Sequence, residues 1–152
     1  MSIIFSKSCE YGIQSVLYIA KVSNGHPVLL RDISETLHIP HHFLSKVLQI
    51  LTRNGIIVSK KGQHGGYEIR ADSTKITLMD IVKAIDGDSY LGECVLGFPG
   101  CCDENPCPVH DSWGRSKKSI LEMLNNKTIA KLSKELDGKL DQINTLFKTN
   151  KT

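Results

Sequence analysis

The sequence predicts a mainly α-helical chain carrying one small β-hairpin, and three observations lead there. Apolar residues recur at steps of three and four over several stretches, each ended by a turn signal. A β-branched run and a tyrosine-centred run flank a basic, Gly-rich turn. The segment 88–111 has no periodicity, three of the five prolines and most of the cysteines. With 152 residues, 40% apolar, 23% charged and 6% aromatic, the chain has the make-up of one ordered domain. Its longest apolar runs, such as Ile56-Ile57-Val58, are far too short to span a membrane. Met1 to Lys7 lacks the pattern of a secretory leader, so a cytoplasmic protein is expected.

The first helix is expected from Lys7 to Val22, with Cys9, Ile13, Val16, Leu17 and Ala20 on one buried stripe. Asn24-Gly25-His26-Pro27 stops it. A short helix follows from Leu30 to Leu37, then a tight connection at His38-Ile39. Pro40 suits the first turn of a third helix reaching Asn54, with Gly55 placed to end it. Phe43, Leu44, Val47, Leu48 and Leu51 form its apolar face, and His42, Ser45, Lys46, Gln49 and Arg53 its polar face. Strands at 56–59 and 67–70 then enclose the turn from Lys60 to Gly66. Thr77-Leu78-Met79-Asp80 opens a helix to Ile85 with a capping box that uses Asp. Two short helices in a tight turn, followed by a basic hairpin, make a winged helix-turn-helix domain, residues 1–85. A cysteine-rich loop, 86–111, and C-terminal helices, 112–152, complete the chain. Those helices carry Trp113, Ile120, Leu121 and Leu124, then Ile129, Leu132, Leu136, Leu140, Ile143 and Phe147. Neither stripe has a spare apolar partner in so small a winged domain, so both are expected at a dimer interface.

Charge separates the parts. The whole chain carries +3, yet Pro40 to Arg70 alone holds Lys46, Arg53, Lys60, Lys61 and Arg70 against Glu68. Asp86 to Asp111 holds six acids and no lysine or arginine. A solvated polar face would explain the third helix alone. The basic Gly-rich hairpin beside it adds phosphate-neutralising cations and close backbone approach, which favours double-stranded DNA as the partner. His41, His42, Ser45, Lys46 and Gln49 are the candidates for base or phosphate contact. Lys60, Lys61, Gln63 and His64 are the candidates in the wing.

Of five cysteines, Cys94, Cys101, Cys102 and Cys107 lie in the acidic loop, with His110 three residues beyond the last. In a reducing cytosol such a cluster points to metal or redox chemistry. Zinc ligands usually come as close pairs, and only Cys107 and His110 have that spacing. The wider spacing suits an iron–sulfur cluster, while zinc and thiol oxidation stay open. Cys9, on the apolar stripe of the first helix, is expected to be a buried structural thiol. No nucleophile–base pair, phosphate loop or paired carboxylates suggest an enzyme.

The order of these parts resembles the Rrf2 family of winged-helix regulators, of the iron–sulfur cluster regulator and nitric-oxide-sensing repressor type. Ser8-Cys9-Glu10-Tyr11-Gly12, the run from Ile39 to Leu48, and Leu51-Thr52-Arg53-Asn54-Gly55 carry the resemblance. So do Ser59 to Tyr67, Ile76 to Val82 and the cysteine loop. The resemblance implies a homodimer on pseudo-palindromic operator DNA that holds a 2Fe-2S or 4Fe-4S cluster. It implies ligation by Cys94, Cys101 and Cys107, with Cys102 as the alternative to Cys101, and a fourth ligand that is His110 or the partner subunit's Glu10. Six residues separate Cys94 from Cys101, one more than the family usually has, and Lys61 stands where the family's wing usually carries Arg. The expected function is transcription regulation through a redox-, nitric-oxide- or iron-responsive cluster. The rivals are a zinc or thiol sensor of the same fold and a partner-binding scaffold without DNA binding.

Overall fold

The computed structural model describes residues 4–70, 72–89 and 91–142. Among them are helices α1 (Lys7–Val22), α2 (Leu30–Leu37), α3 (His41–Arg53), α4 (Leu78–Asp86), α5 (His110–Asn126) and α6 (Ile129–Lys134). Between α3 and α4 lies the hairpin of β1 (Ile57–Lys60) and β2 (Gly66–Ile69). Residues 137–142 are also helical. Ile143 and Phe147 lie outside the described residues.

Helix α1 is the centre of the molecule, touching α2, α3, α4, α6 and β2. Its cap is Ser6, whose hydroxyl accepts from the Cys9 N–H at 3.1 Å. The buried face is Cys9, Gly12, Ser15, Val16 and Ile19. It is turned from the expected stripe, leaving Ile13, Leu17 and Ala20 half-buried, because Gly12 lets α1 approach α4 closely. A Cβ on Gly12 would sit 2.3 Å from Ile85 Cδ1 of α4, so hydrophobic pattern alone misjudges this face.

His38, in the left-handed region at φ 53°, makes the turn between α2 and α3. Leu44, Val47, Leu48 and Leu51 anchor α3 in the main core with Ile33, Leu37 and Ile39. Phe43 does not join them: it is 49% exposed. Pro40 is the N-cap of α3 rather than its first helical residue, and its carbonyl accepts from the N–H groups of Phe43 and Leu44 at 3.0 Å.

The hairpin pairs antiparallel in the register Ile57↔Ile69, Val58↔Glu68, Ser59↔Tyr67 and Lys60↔Gly66. Both strands are displaced by one residue from their expected spans. A further pairing, Val28 with Tyr67, ties the wing back to the loop before α2 through N–H to O bonds of 2.9 and 2.8 Å. Gly66, at φ 141°, permits it, since a Cβ there would lie 2.6 Å from the Val28 carbonyl oxygen.

The capping box of α4 is present: Asp80 N–H donates to Thr77 Oγ1 at 3.3 Å, and Thr77 N–H to Asp80 Oδ2 at 2.8 Å. Helix α5 buries Leu124 against Cys9, Met79 and Val82, and no other described α5 side chain is fully buried. Helix α6 corrects the expectation that the C-terminal stripes lack a partner. Ile129 is fully buried in the winged domain's core, and α6 packs on α1. The 127–130 backbone bonds to Leu78, Ile76 and Ser73, at 2.8 to 3.1 Å.

Candidate metal centre and nucleic-acid interface

The loop leaves α4 at Gly87 and returns at His110, the first residue of α5. Its turns bring three thiols together. Gly97 N–H donates to the Cys94 carbonyl at 2.9 Å, with Gly97 and Gly100 at φ 74° and 70°. The sulfurs of Cys94, Cys101 and Cys107 all lie within 4.8 Å of one another, and those of Cys94 and Cys107 are 3.6 Å apart. Cys102 is not in this group. Cys102 and Asn105 exchange backbone hydrogen bonds of 3.4 and 3.0 Å, and that tight turn leaves the Cys102 side chain exposed. Its thiol meets Glu104 instead, whose carboxyl is held below the usual range by the Cys102 thiol first and by its own backbone N–H.

His110 reaches the group from the first turn of α5. Its Nδ1 is 3.1 Å from Cys101 Sγ, and its Nε2 is 3.0 Å from Asp103 Oδ1. Its backbone N–H donates to the Cys107 carbonyl at 3.0 Å. Glu10 is elsewhere engaged: Lys7 Nζ lies 2.7 Å from its Oε2, and only 11% of its side chain is exposed. One turn along α5, the Trp113 indole N–H donates to the Glu93 carbonyl at 3.3 Å, tying the helix to the residue before Cys94.

The thiols have unequal acidity. Burial pushes the Cys94 thiol up, but the N–H groups of Phe98 and Leu96 and the neighbouring Cys107 and Cys101 thiols bring it down to about 7. For Cys101 the Cys107 N–H, which donates to its sulfur at 3.4 Å, favours the thiolate. Burial and the other two thiols outweigh it and leave this thiol raised. The donor set fits a thiophilic metal or cluster: three sulfurs, N–H groups aimed at them, and one imidazole.

The candidate DNA-facing residues lie on α3 and in the wing. His41, His42, Lys46 and Gln49 are exposed on α3, and Ser45 is half-buried. Lys60, Lys61, Gln63 and His64 are exposed in the wing, but Lys60 Nζ is paired at 2.7 Å with Glu68 Oε2. The sequence pattern placed Phe43 on the apolar face of α3, but it is exposed, with its ring beside that of His42 and centroids 4.4 Å apart. Its signal was position, since it precedes the Leu44–Leu51 stripe by one residue and so begins the outer face.

Comparison with known proteins places this architecture. The Rrf2 family, described as iron-dependent transcriptional regulators, matches residues 5–135. The chain belongs to the Rrf2 family. A helix-turn-helix relative from Aquifex aeolicus is 34% identical over 132 residues, 85% of this chain and 90% of that protein. The transcriptional regulator IscR of Yersinia pseudotuberculosis is 32% identical over 128 residues, 84% of this chain and 77% of its own. Among solved structures, CymR of B. subtilis, a global cysteine regulator, superimposes with a TM-score of 0.75 at 22% identity, covering 88% of this chain and 98% of its own. IscR of T. potens does so at 0.68 with 26% identity, covering 89% of each chain. The fold is therefore that of the winged-helix Rrf2 regulators, and the protein is a transcriptional regulator, like its relatives, and no enzyme. Among the described residues no helix is long and apolar enough to cross a membrane.

Proposed function

We propose that this Rrf2 regulator works in the cytosol as a homodimer on operator DNA and responds to redox state, nitric oxide or iron supply through an iron–sulfur cluster. Cys94, Cys101 and Cys107 would hold that cluster, with His110 as fourth ligand. The observation that carries the reading is the convergence of three sulfurs, one already acidic, on a frame whose recognition helix and wing stay exposed. His110 is preferred to the partner subunit's Glu10 because its ring nitrogen is 3.1 Å from Cys101 Sγ in the same chain, whereas Glu10 is paired with Lys7 of its own helix. When bound, a cluster with one non-thiolate ligand supplies a centre that oxidants and nitric oxide can modify.

The chain's own residues connect that site to DNA. The loop is continuous with α4 at one end and α5 at the other, and both pack around Cys9, Met79 and Val82. A change in loop order therefore bears on how α5 is presented to a second copy, which sets the spacing of two recognition helices. On each half-site His41, His42, Ser45, Lys46 and Gln49 would face the major groove, with Lys60, Lys61, Gln63 and His64 along the flanking backbone.

Absorption, iron and sulfide analysis of protein purified without oxygen tests the cluster. Coloured protein with matched iron and sulfide is expected, and the stoichiometry separates two-iron from four-iron forms. A second reading has an observation of its own. Three sulfurs within 4.8 Å approach the edge length of about 3.8 Å that a single tetrahedral zinc–thiolate site requires. Colourless protein with one equivalent of zinc would replace the cluster by that ion.

A further inference from the structure

We infer that Asp103 is the positioning residue that turns His110 toward the metal centre and so makes it the fourth ligand. The inference rests on the reading of Cys94, Cys101 and Cys107 as ligands. His110 is bridged from both sides, with Nε2 3.0 Å from Asp103 Oδ1 and Nδ1 3.1 Å from Cys101 Sγ. A carboxylate only accepts hydrogen bonds, so the bond to Asp103 puts the ring proton on Nε2. The Nδ1 lone pair is then left facing the sulfurs, where it accepts the Cys101 S–H in the metal-free chain. A metal bound by the Cys101 thiolate would release that proton to solvent and leave the same lone pair free to coordinate. Imidazoles that bind metals commonly direct their second N–H to a carboxylate, which fixes tautomer and ring orientation together.

The loop is built to present this carboxylate. The turn closed by Cys102 and Asn105 carries Asp103, while the His110 backbone is fixed on the Cys107 carbonyl. Flipping the imidazole would break both of its side-chain bonds at once. Asp103 is 96% exposed at its side chain, so its charge is screened by solvent. Its influence is then directional more than Coulombic, and the expected effect is at the low end for such an outer partner, about tenfold in metal affinity.

The test is titration of the metal-free full chain with cobalt(II) alone, read by thiolate-to-cobalt charge-transfer and ligand-field absorption. Asp103→Ala is expected to weaken cobalt binding about tenfold, and Asp103→Asn less, because an amide oxygen still accepts the Nε2 proton. Circular dichroism controls for folding. In a His110→Ala background the Asp103→Ala change is expected to have no further effect. An equal loss in both backgrounds would mean that Asp103 acts on the loop and not through His110, and would overturn the inference. Unchanged affinity in Asp103→Ala would overturn it too, with the cysteine site intact. If the wild-type chain gives no thiolate–cobalt absorption, the metal reading itself fails.

Discussion

Cys9 and Cys94 are the same side chain in opposite surroundings, and their acidities separate accordingly. Cys9 is fully buried beneath α5, and desolvation, with Asp86 and Glu10 nearby, pushes its thiol up to about 12 from the ordinary 9.0. The folded chain therefore keeps a proton that the unfolded chain releases above about pH 9. Stability held below that pH is lost as pH rises toward 12, by about 1.4 kcal/mol per pH unit at most. Urea unfolding at pH 8 and pH 10 should show this, and Cys9→Ala should flatten the dependence while lowering stability at both pH values. The apolar stripe of α1 is enough to recognise Cys9 as structural in the sequence. The family resemblance favoured Cys101 over Cys102, and the sulfur group contains Cys101, the four-residue turn at Cys102 and Asn105 leaving Cys102 outside it. Phe43 was misassigned because adjacent apolar residues at a helix start point about 100° apart, and only Leu44 meets the core.

At the scale of elements, the wing is where backbone geometry and charge are most constrained. Gly66→Ala should lower stability by about 1–3 kcal/mol, since the residue needs a positive φ and meets the Val28 carbonyl. Thermal unfolding would read the loss, and weaker DNA binding should accompany it. Lys46→Ala and Lys61→Ala should each reduce the slope of log affinity against log salt by about one. Lys60→Ala should reduce it less, because Glu68 already neutralises that cation. Fluorescence anisotropy on a selected DNA duplex over a salt series distinguishes the three, and identical slopes would remove the assignment. Helices and capping box were readable from periodicity and end signals. The pairing of Val28 with Tyr67 was not, as one residue pair leaves no pattern in a sequence.

At the scale of the whole molecule, α5 is a long helix that a single chain leaves mostly uncovered. Along 17 residues only Leu124 is fully buried, while Met123 is 43% exposed. If α5 meets a second copy, Met123→Asp should shift the protein from dimer to monomer in sedimentation without loss of helix content. A dimer that persists would place the interface elsewhere. Helix α6, in contrast, supplies Ile129 to the winged domain's core, so Ile129→Ala should cost about 2–5 kcal/mol in the chain itself. Amphipathic spacing marked α5 and α6 equally as needing a partner. Which surface satisfies each is a question of chain path, set here by the backbone bonds that bring 127–130 beside 73–78.

Trp113 is the chain's single tryptophan, and its indole N–H is tied to the carbonyl of Glu93, one residue before Cys94. The protein thus carries its own optical reporter at the hinge between thiol loop and helix. Intrinsic emission should change in wavelength when that bond opens and in intensity when a coloured centre sits nearby. Under the proposed reading, occupancy of the cysteine site and order of the loop become two separable signals, readable from the native chain in real time with no label attached.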